Sequence, residues 1–501
     1  MRQSDNNPAV NDIDTRVRES VRVNSPHQIE FKERVAFPES ADSVRYETET
    51  YIFLPPALQV TPEHFTSATL LRSLKNYIRL RAPKLPLTAF EDNAGPFADL
   101  DSALKGINVR TVNADEDYEN AVRRFALTYR QSVKSALETL AQDPDSCTTE
   151  DVRRIIGQIT GILAAYRSRQ TYLVTLGREL GNNHAWAYCD EFMSIITAYY
   201  LRNVYLALDF EKQEIVLTLW ESEKQYRLKH YPLSVPGAGA DNETLLFRWS
   251  VLKKYVSSLL FLEAKVQGGQ PMLLHSLYGV AAAVSMLFAT IIAFSWQGTY
   301  GSLSMNLFWA MVIAYIFKDR IKESLRAWLY KRFQKWIPDR RLQLERGSYR
   351  HAGQVEESFR FINAEQVPEA VRKLRESAHT IELLSGKLPE DILLYKKEVT
   401  LEKLRTLTQD TGNSVLDIMR LNIRDFLRYT ETLFEELPVL EEDAAETAAR
   451  QAFGEKIYHI YVAQRIKIGE KRAVAMQRLV INAQGIKRLE TVQPLTTQNE
   501  D

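Results

Sequence analysis

At 501 residues the chain is too long for one compact core, and two or three domains are expected. Equal numbers of acidic and basic residues give a formal net charge of zero, which excludes a global bias toward nucleic acid or another polyanion. Two cysteines, Cys147 and Cys189, exclude a disulfide framework or a cysteine-based zinc site, and both are expected as free thiols in or beside helices.

Residues 1–27 are polar and read as a disordered tail, without the apolar stretch of a signal peptide. Residues 28–110 read as a small α/β unit. Its strands run from Ile29 to Val35 and from Val44 to Leu54, where Pro55-Pro56 stops the second. Thr61 with Pro62 is expected to open a helix that buries Leu70, Leu71, Leu74 and Ile78. Residues 111–265 read as a helical region. Asp117 to Leu140 repeats apolar positions at three and four, and Thr148 with Asp151 forms a capping box ahead of Val152, Ile156, Ile159 and Leu163. A third helix covers about His184 to Leu208. Phe210 to Pro232 fits strand and helix alike. A fourth helix through Leu245, Trp249, Leu252, Val256 and Leu259 leads to a hinge at Gly268-Gly269.

No Asp, Glu, Lys or Arg occurs from Val266 to Phe317, and residues 266–317 are expected to form a two-helix transmembrane hairpin. Met272 to Trp296 is long enough to cross a hydrocarbon core of roughly 30 Å. The second stretch, about Ser302 to Phe317, is shorter and spans only if it recruits neighbours. Lys253, Lys254 and Lys265 precede the window and a basic run follows it, which predicts a bacterial-type inner membrane, a multi-pass topology and both termini in the cytoplasm. Residues 318–340 read as a basic aromatic interfacial helix, in which Lys318, Arg320, Lys322, Arg326, Lys331, Arg332 and Lys335 alternate with Trp328 and Trp336. Small residues at Gly279, Ala281, Ser285, Ala289 and Ala293 form a helix-packing face.

Residues 341–501 read as a cytoplasmic α+β domain with antiparallel strands. A helix is expected near Pro368 to Ser377, an exposed acidic linker from Glu431 to Glu446, and a strand pair from Lys456–Ala463 and Arg472–Ile481 with Gly469 in the turn. Asn482 to Gly485 then turns into Ile486–Leu489.

No local motif carries chemistry. Gly237-Ala238-Gly239 lacks the third glycine of a dinucleotide loop, and no Walker A, His-Glu-x-x-His or Gly-x-Ser-x-Gly occurs. His184, Asp190 and Glu191 do not have the spacing of a ligand pair on one helical face. Asp143, Asp145, Glu150 and Asp151 suit a helix start. CorA-type magnesium channels join two spans by a loop beginning Tyr-Gly-Met-Asn; Tyr300-Gly301-Ser302-Leu303-Ser304-Met305-Asn306 resembles it with three residues inserted, only in the hairpin, and no residue role is carried over. The fold class expected is thus a multi-domain α+β membrane protein: an α/β plus helical N-terminal part, a transmembrane hairpin and an α+β C-terminal domain. The function expected is a non-enzymatic scaffold or sensor working through protein partners or self-assembly. An oligomeric membrane-perturbing effector or channel, and a membrane-anchored enzyme, are the alternatives. The expected partners are a lipid bilayer with anionic lipid, an unidentified protein and further copies of the chain. No catalytic residue, metal, cofactor or nucleic acid is expected.

Overall fold

The computed structural model describes residues 21–37, 41–92, 94–109, 114–144, 146–170, 184–239, 241–267, 271–300, 305–333, 337–346, 349–378, 390–402, 412–443, 446–469 and 471–498. The chain forms two units. One comprises Met1–Tyr77, Leu262–Leu404 and Asp417–Asp501; the other comprises Ile78–Phe261 and Arg405–Leu416.

The strands in chain order are β1 (Arg22–Ser25), β2 (Gln28–Ala36), β3 (Ser43–Leu54), β4 (Leu74–Arg81), β5 (Phe261–Gln267), β6 (Arg340–Arg346), β7 (Tyr349–Ile362), β8 (Asp391–Glu402), β9 (Gly412–Asn422), β10 (Phe434–Asp443), β11 (Glu446–Glu455), β12 (Tyr458–Ile468), β13 (Lys471–Asn482) and β14 (Gly485–Gln498). Twelve of them make one sheet in the order β1-β2-β9-β4-β5-β6-β7-β8-β3-β12-β13-β14. Its pairings are antiparallel, as in β3 with β8, where Thr50 lies opposite Tyr395, and β3 with β12, where Thr50 lies opposite Gln464. The two ends of the order meet: Ile486 N donates to Pro26 O at 2.6 Å, in the turn between β1 and β2. Gly485 is required at this seam. Its φ is +134°, and a Cβ there would overlap the Pro26 carbonyl. The result is a nearly closed, barrel-like sheet.

Strand alternation sorts side chains between the two faces. Ile29, Phe31, Ile52, Leu54, Phe359, Leu393, Met419, Ile460, Val462, Leu479 and Ile481 share one core inside the curl. On β3 the intervening residues Tyr51 and Phe53 point outward, where Val367 and Val371 of the segment around the helix Glu369–Ser377 cover them. The ribbon β10–β11 is a separate two-stranded sheet.

The helical unit contains α2 (Pro96–Val109), α3 (Ala114–Gln142), α4 (Thr149–Ser168), α5 (Ala185–Tyr205), α6 (Phe210–His230) and α7 (Glu243–Ser257), α1 being the short Ser67–Ser73 helix of the first unit. Thr148 caps α4 in a reciprocal capping box with Asp151. Asp209 caps α6 by accepting from Lys212 N at 3.1 Å. Phe125, Tyr166 and Trp186 stack in sequence at centroid separations of 5.2 and 4.0 Å and centre the helical core.

The expected fold class is corrected at its centre. The N-terminal strands and the C-terminal strands are not separate α/β and α+β domains; they interleave in one sheet. The two-helix transmembrane hairpin is not supported either. Residues 271–300 and 305–333 do form two long helices, α8 (Pro271–Tyr300) and α9 (Met305–Phe333), packed along each other. Among the described residues only His275–Ser295 is long and apolar enough to cross a membrane. The apolar part of α9 ends at Phe317, so from Met305 it reaches only about 20 Å, short of the roughly 30 Å needed. Four local expectations also change, and the open reading of residues 210–230 is decided. Leu70, Leu74 and Ile78 are buried, but Thr66 caps a one-to-two-turn helix and Leu74 already begins a strand. Residues 210–230 are helix. The helix through Trp249 stops at Ser257, and Phe261–Gln267 pairs with β6. The acidic stretch expected as a linker supplies β10. In the expected tail, Arg22–Ser25 is a strand, while residues 1–20 lie outside those described.

Candidate functional site: a polar belt inside the sheet

Inward positions on seven strands carry ionisable or polar side chains where the alternation calls for apolar ones. Glu33 of β2 follows Phe31 and precedes Val35, Lys397 of β8 lies between Tyr395 and Val399, and Asp417 of β9 lies two residues before Met419. All three are buried, with Lys397 at 2% and Asp417 at 1% exposure. Lys397 Nζ donates to Asp417 Oδ1 at 2.6 Å, and Tyr46 OH donates to Asp417 Oδ2 at 3.0 Å. Thr48 Oγ1 donates to Glu33 Oε2 at 3.0 Å and Gln464 Nε2 to Glu33 Oε1 at 2.8 Å. Beside them Tyr395 OH donates to Glu357 Oε1 at 2.7 Å, Asn76 bonds both, and Arg340 pairs with Glu357.

These bonds cross the interior. β2, β9 and β4 lie together near one end of the strand order, and β7, β8, β3 and β12 lie five or more places from β2. The belt therefore ties opposite walls of the curl, as β2 to β3 and β12, β9 to β8 and β3, and β4 to β7 and β8.

The charge balance in the belt's centre is uneven. One lysine faces two carboxyl groups. Burial pushes the Glu33 carboxyl up and the neighbouring Asp417 charge adds to this, against the pull of Lys397 and the Thr48 hydrogen bond, so that it titrates at about 7. Glu30, on the outward face of the same strand, shows the contrast. Burial pushes it up, but hydrogen bonds from Lys32 and Arg420 outweigh this and hold it at about 2. Burial also lifts Tyr46 and Tyr395 well above the ordinary phenol range.

The helical unit carries a second buried network. Arg167 grips Glu223 with two bonds of 2.8 Å and Asp190 with one of 2.9 Å. Tyr226 and Tyr231 also donate to Asp190, at 2.8 and 3.0 Å, and Ser194 donates to Glu223 at 2.6 Å. Every carboxylate there is saturated by donors, so the network clamps α4, α5 and α6 together. An open groove of about 700 Å³ runs beside α4 past Asp101, Arg154, Gly157 and Gly161. Among the described residues no group of three or more His, Cys, Asp or Glu is placed to hold a metal ion.

The positions singled out from sequence fall elsewhere. Ala281 and Ser285 are buried on α8, as is Ala314 on α9, while Ala289 and Ala293 are half-buried and Gly279 is exposed. The basic residues of α9 do not converge. Lys318 sits over the Tyr315 ring, Arg326 over the Tyr278 ring of α8, and Arg320 is 3.8 Å from Glu323. Lys322, Trp328, Lys331 and Arg332 are exposed; Lys335, Trp336 and the loop residues Gly301 to Ser304 lie outside the described residues. His184 caps no ligand set, and Asp190 and Glu191 are instead consumed by Arg167 and Arg248. Cys189 is buried and Cys147 partly so. No protein-family model, curated protein or solved structure matches the chain.

Proposed function

We propose that the protein is a non-enzymatic scaffold or sensor attached to a membrane through α8 and α9 and acting through protein partners. The carrying observation is the apolar exterior of that helix pair. Leu287, Ile291 and Phe294 are 61%, 57% and 70% exposed, and Phe308, Trp309, Ile313 and Ile316 continue the surface on α9. A contiguous apolar surface of this kind is costly in water and marks a face that something covers. The basic residues beyond Phe317 fit contact with anionic headgroups, each worth about 1 kcal/mol near such a surface.

Vesicle flotation of the full chain tests the attachment. The native chain should float with zwitterionic vesicles and more strongly with vesicles containing anionic lipid. The double variant Leu287→Glu, Ile291→Glu should stay at the bottom. A native chain that remains at the bottom with both lipid compositions, or a variant that floats equally well, would refute it.

A further inference from the structure

The polar belt does more than hold the sheet together. We propose that Glu33 is the proton-controlled latch of the barrel seam: with its carboxyl protonated the β1–β2 hairpin stays closed on β14, and proton loss opens that seam. The inference rests on the sensor reading only for its use; the latch itself stands on the geometry of the sheet.

Three observations carry it. First, β2 holds both the latch group and the seam. Its preceding turn supplies the Pro26 carbonyl that accepts from Ile486 N, the described backbone hydrogen bond that joins the two ends of the sheet. The His27 carbonyl likewise accepts from Ile423 N at 2.9 Å, beside β9. Second, Glu33 extends hydrogen bonds from β2 across the interior, accepting from Thr48 of β3 and Gln464 of β12. Third, the charges around it do not balance once it ionises. Lys397 on β8 and Asp417 on β9 form a neutral pair; Tyr46 on β3 and Tyr395 on β8 are neutral, and Gln464 on β12 carries no charge. Ionised Glu33 therefore adds one uncompensated negative charge to a closed interior. Burial of such a charge is expensive, and hydration through the nearest opening relieves it. β1 pairs with β2 only from Gln28 to Glu30, so among the described residues the edge of β2 at Glu33 carries no strand on the seam side, and that is where the charge meets water.

The direction with pH follows from linkage. The closed seam holds the Glu33 proton up to about 7, whereas a hydrated glutamate gives it up near 4.5. Opening is thus coupled to release of one proton throughout that interval. The opening constant should rise about tenfold per pH unit between those values and level off above the upper one.

Hydrogen exchange of the full chain, corrected for the intrinsic pH dependence of amide exchange, reads this directly in peptides covering residues 21–36 and 485–490. Protection should fall about tenfold per unit from pH 5 to pH 7 and then remain constant. Glu33→Gln keeps the shape without the charge and should give flat, high protection. Asp417→Asn leaves a single carboxylate opposite Lys397 and should also stay closed at pH 8. His27→Gln should retain the native profile. Protection that varies less than about twofold in the native chain overturns the latch, as does a native-like pH profile in Glu33→Gln or its loss in His27→Gln. Failure of vesicle attachment would remove the sensor reading and leave these exchange results unaffected.

Discussion

Removing Lys397 tests how the belt contributes to stability. Lys397→Met keeps the length of the side chain and deletes its charge. Asp417 then keeps only the Tyr46 hydroxyl as a donor, and Glu33 loses its one nearby cation. The belt has two ways to respond. Asp417 can remain ionised without a partner, at a cost of about 3 to 5 kcal/mol for breaking a buried pair from one side. It can instead take up a proton, which costs about 1.36 kcal/mol for each pH unit above the ordinary aspartate value near 3.9, hence about 4 kcal/mol at pH 7 and about 1.5 at pH 5. The cheaper route sets the loss, so the variant should be destabilised by about 3 to 4 kcal/mol at pH 7 and clearly less at pH 5. Lys397→Met with Asp417→Asn removes both charges, leaves an acceptor for Tyr46, and should recover most of the loss. No tryptophan lies in a described strand, so fluorescence does not report on the sheet. Amide exchange of the β8 and β9 peptides across a urea series does. A loss below about 1 kcal/mol at pH 7, or an equal loss at pH 5 and pH 7, would refute the reasoning, because a buried one-sided carboxylate cannot be indifferent to both its partner and its proton.

Two further variants probe single positions. Thr148→Ala removes the donor and acceptor of the capping box at the start of α4 and should cost about 1 kcal/mol, seen as faster exchange in the first turn of that helix with the sheet unchanged. Gly485→Ala places a Cβ against the Pro26 carbonyl at positive φ and should cost about 1 to 3 kcal/mol, with lost protection at Ile486 at every pH.

The legible parts of this chain were those in which neighbours in sequence are neighbours in space. The Thr148 capping box, the periodic apolar stripe of α4 and the β12–β13 hairpin around Gly469 all depend on contacts within a few turns or one tight turn. The sheet was illegible for the opposite reason. Alternation marks β2 and β3 as strands, but nothing in Val44 to Leu54 names Asp391–Glu402 and Tyr458–Ile468 as its neighbours. The apolar window misled because hydropathy is summed along the chain. A long apolar exterior satisfies the sum whether or not each helix can span, and α9 exhausts its apolar residues at Phe317. The belt did leave a trace. A charge on the apolar parity of a strand, as in Phe31-Glu33-Val35 or Tyr395-Lys397-Val399, is costly unless it finds a partner. That pattern points to a buried network, though not to the identity of the strand that completes it.

The placement of β3 has a consequence for how the chain is made. Glu49 is bridged to Arg465, and Tyr46 lies opposite Ile468, so one flank of an early strand is closed by residues synthesised more than four hundred positions later. At about 5–20 residues per second, a ribosome leaves that flank vacant for on the order of a minute. During this interval the helices between β4 and β5 are already synthesised, and they bring β4 and β5 together as neighbours in the sheet. They thereby convert a separation of nearly two hundred residues into a short connection, which lowers the loop-closure entropy that the remaining strands face. Nascent chains halted before β12 should accordingly be captured by chaperones through β2 and β3, while their helical unit resists proteolysis.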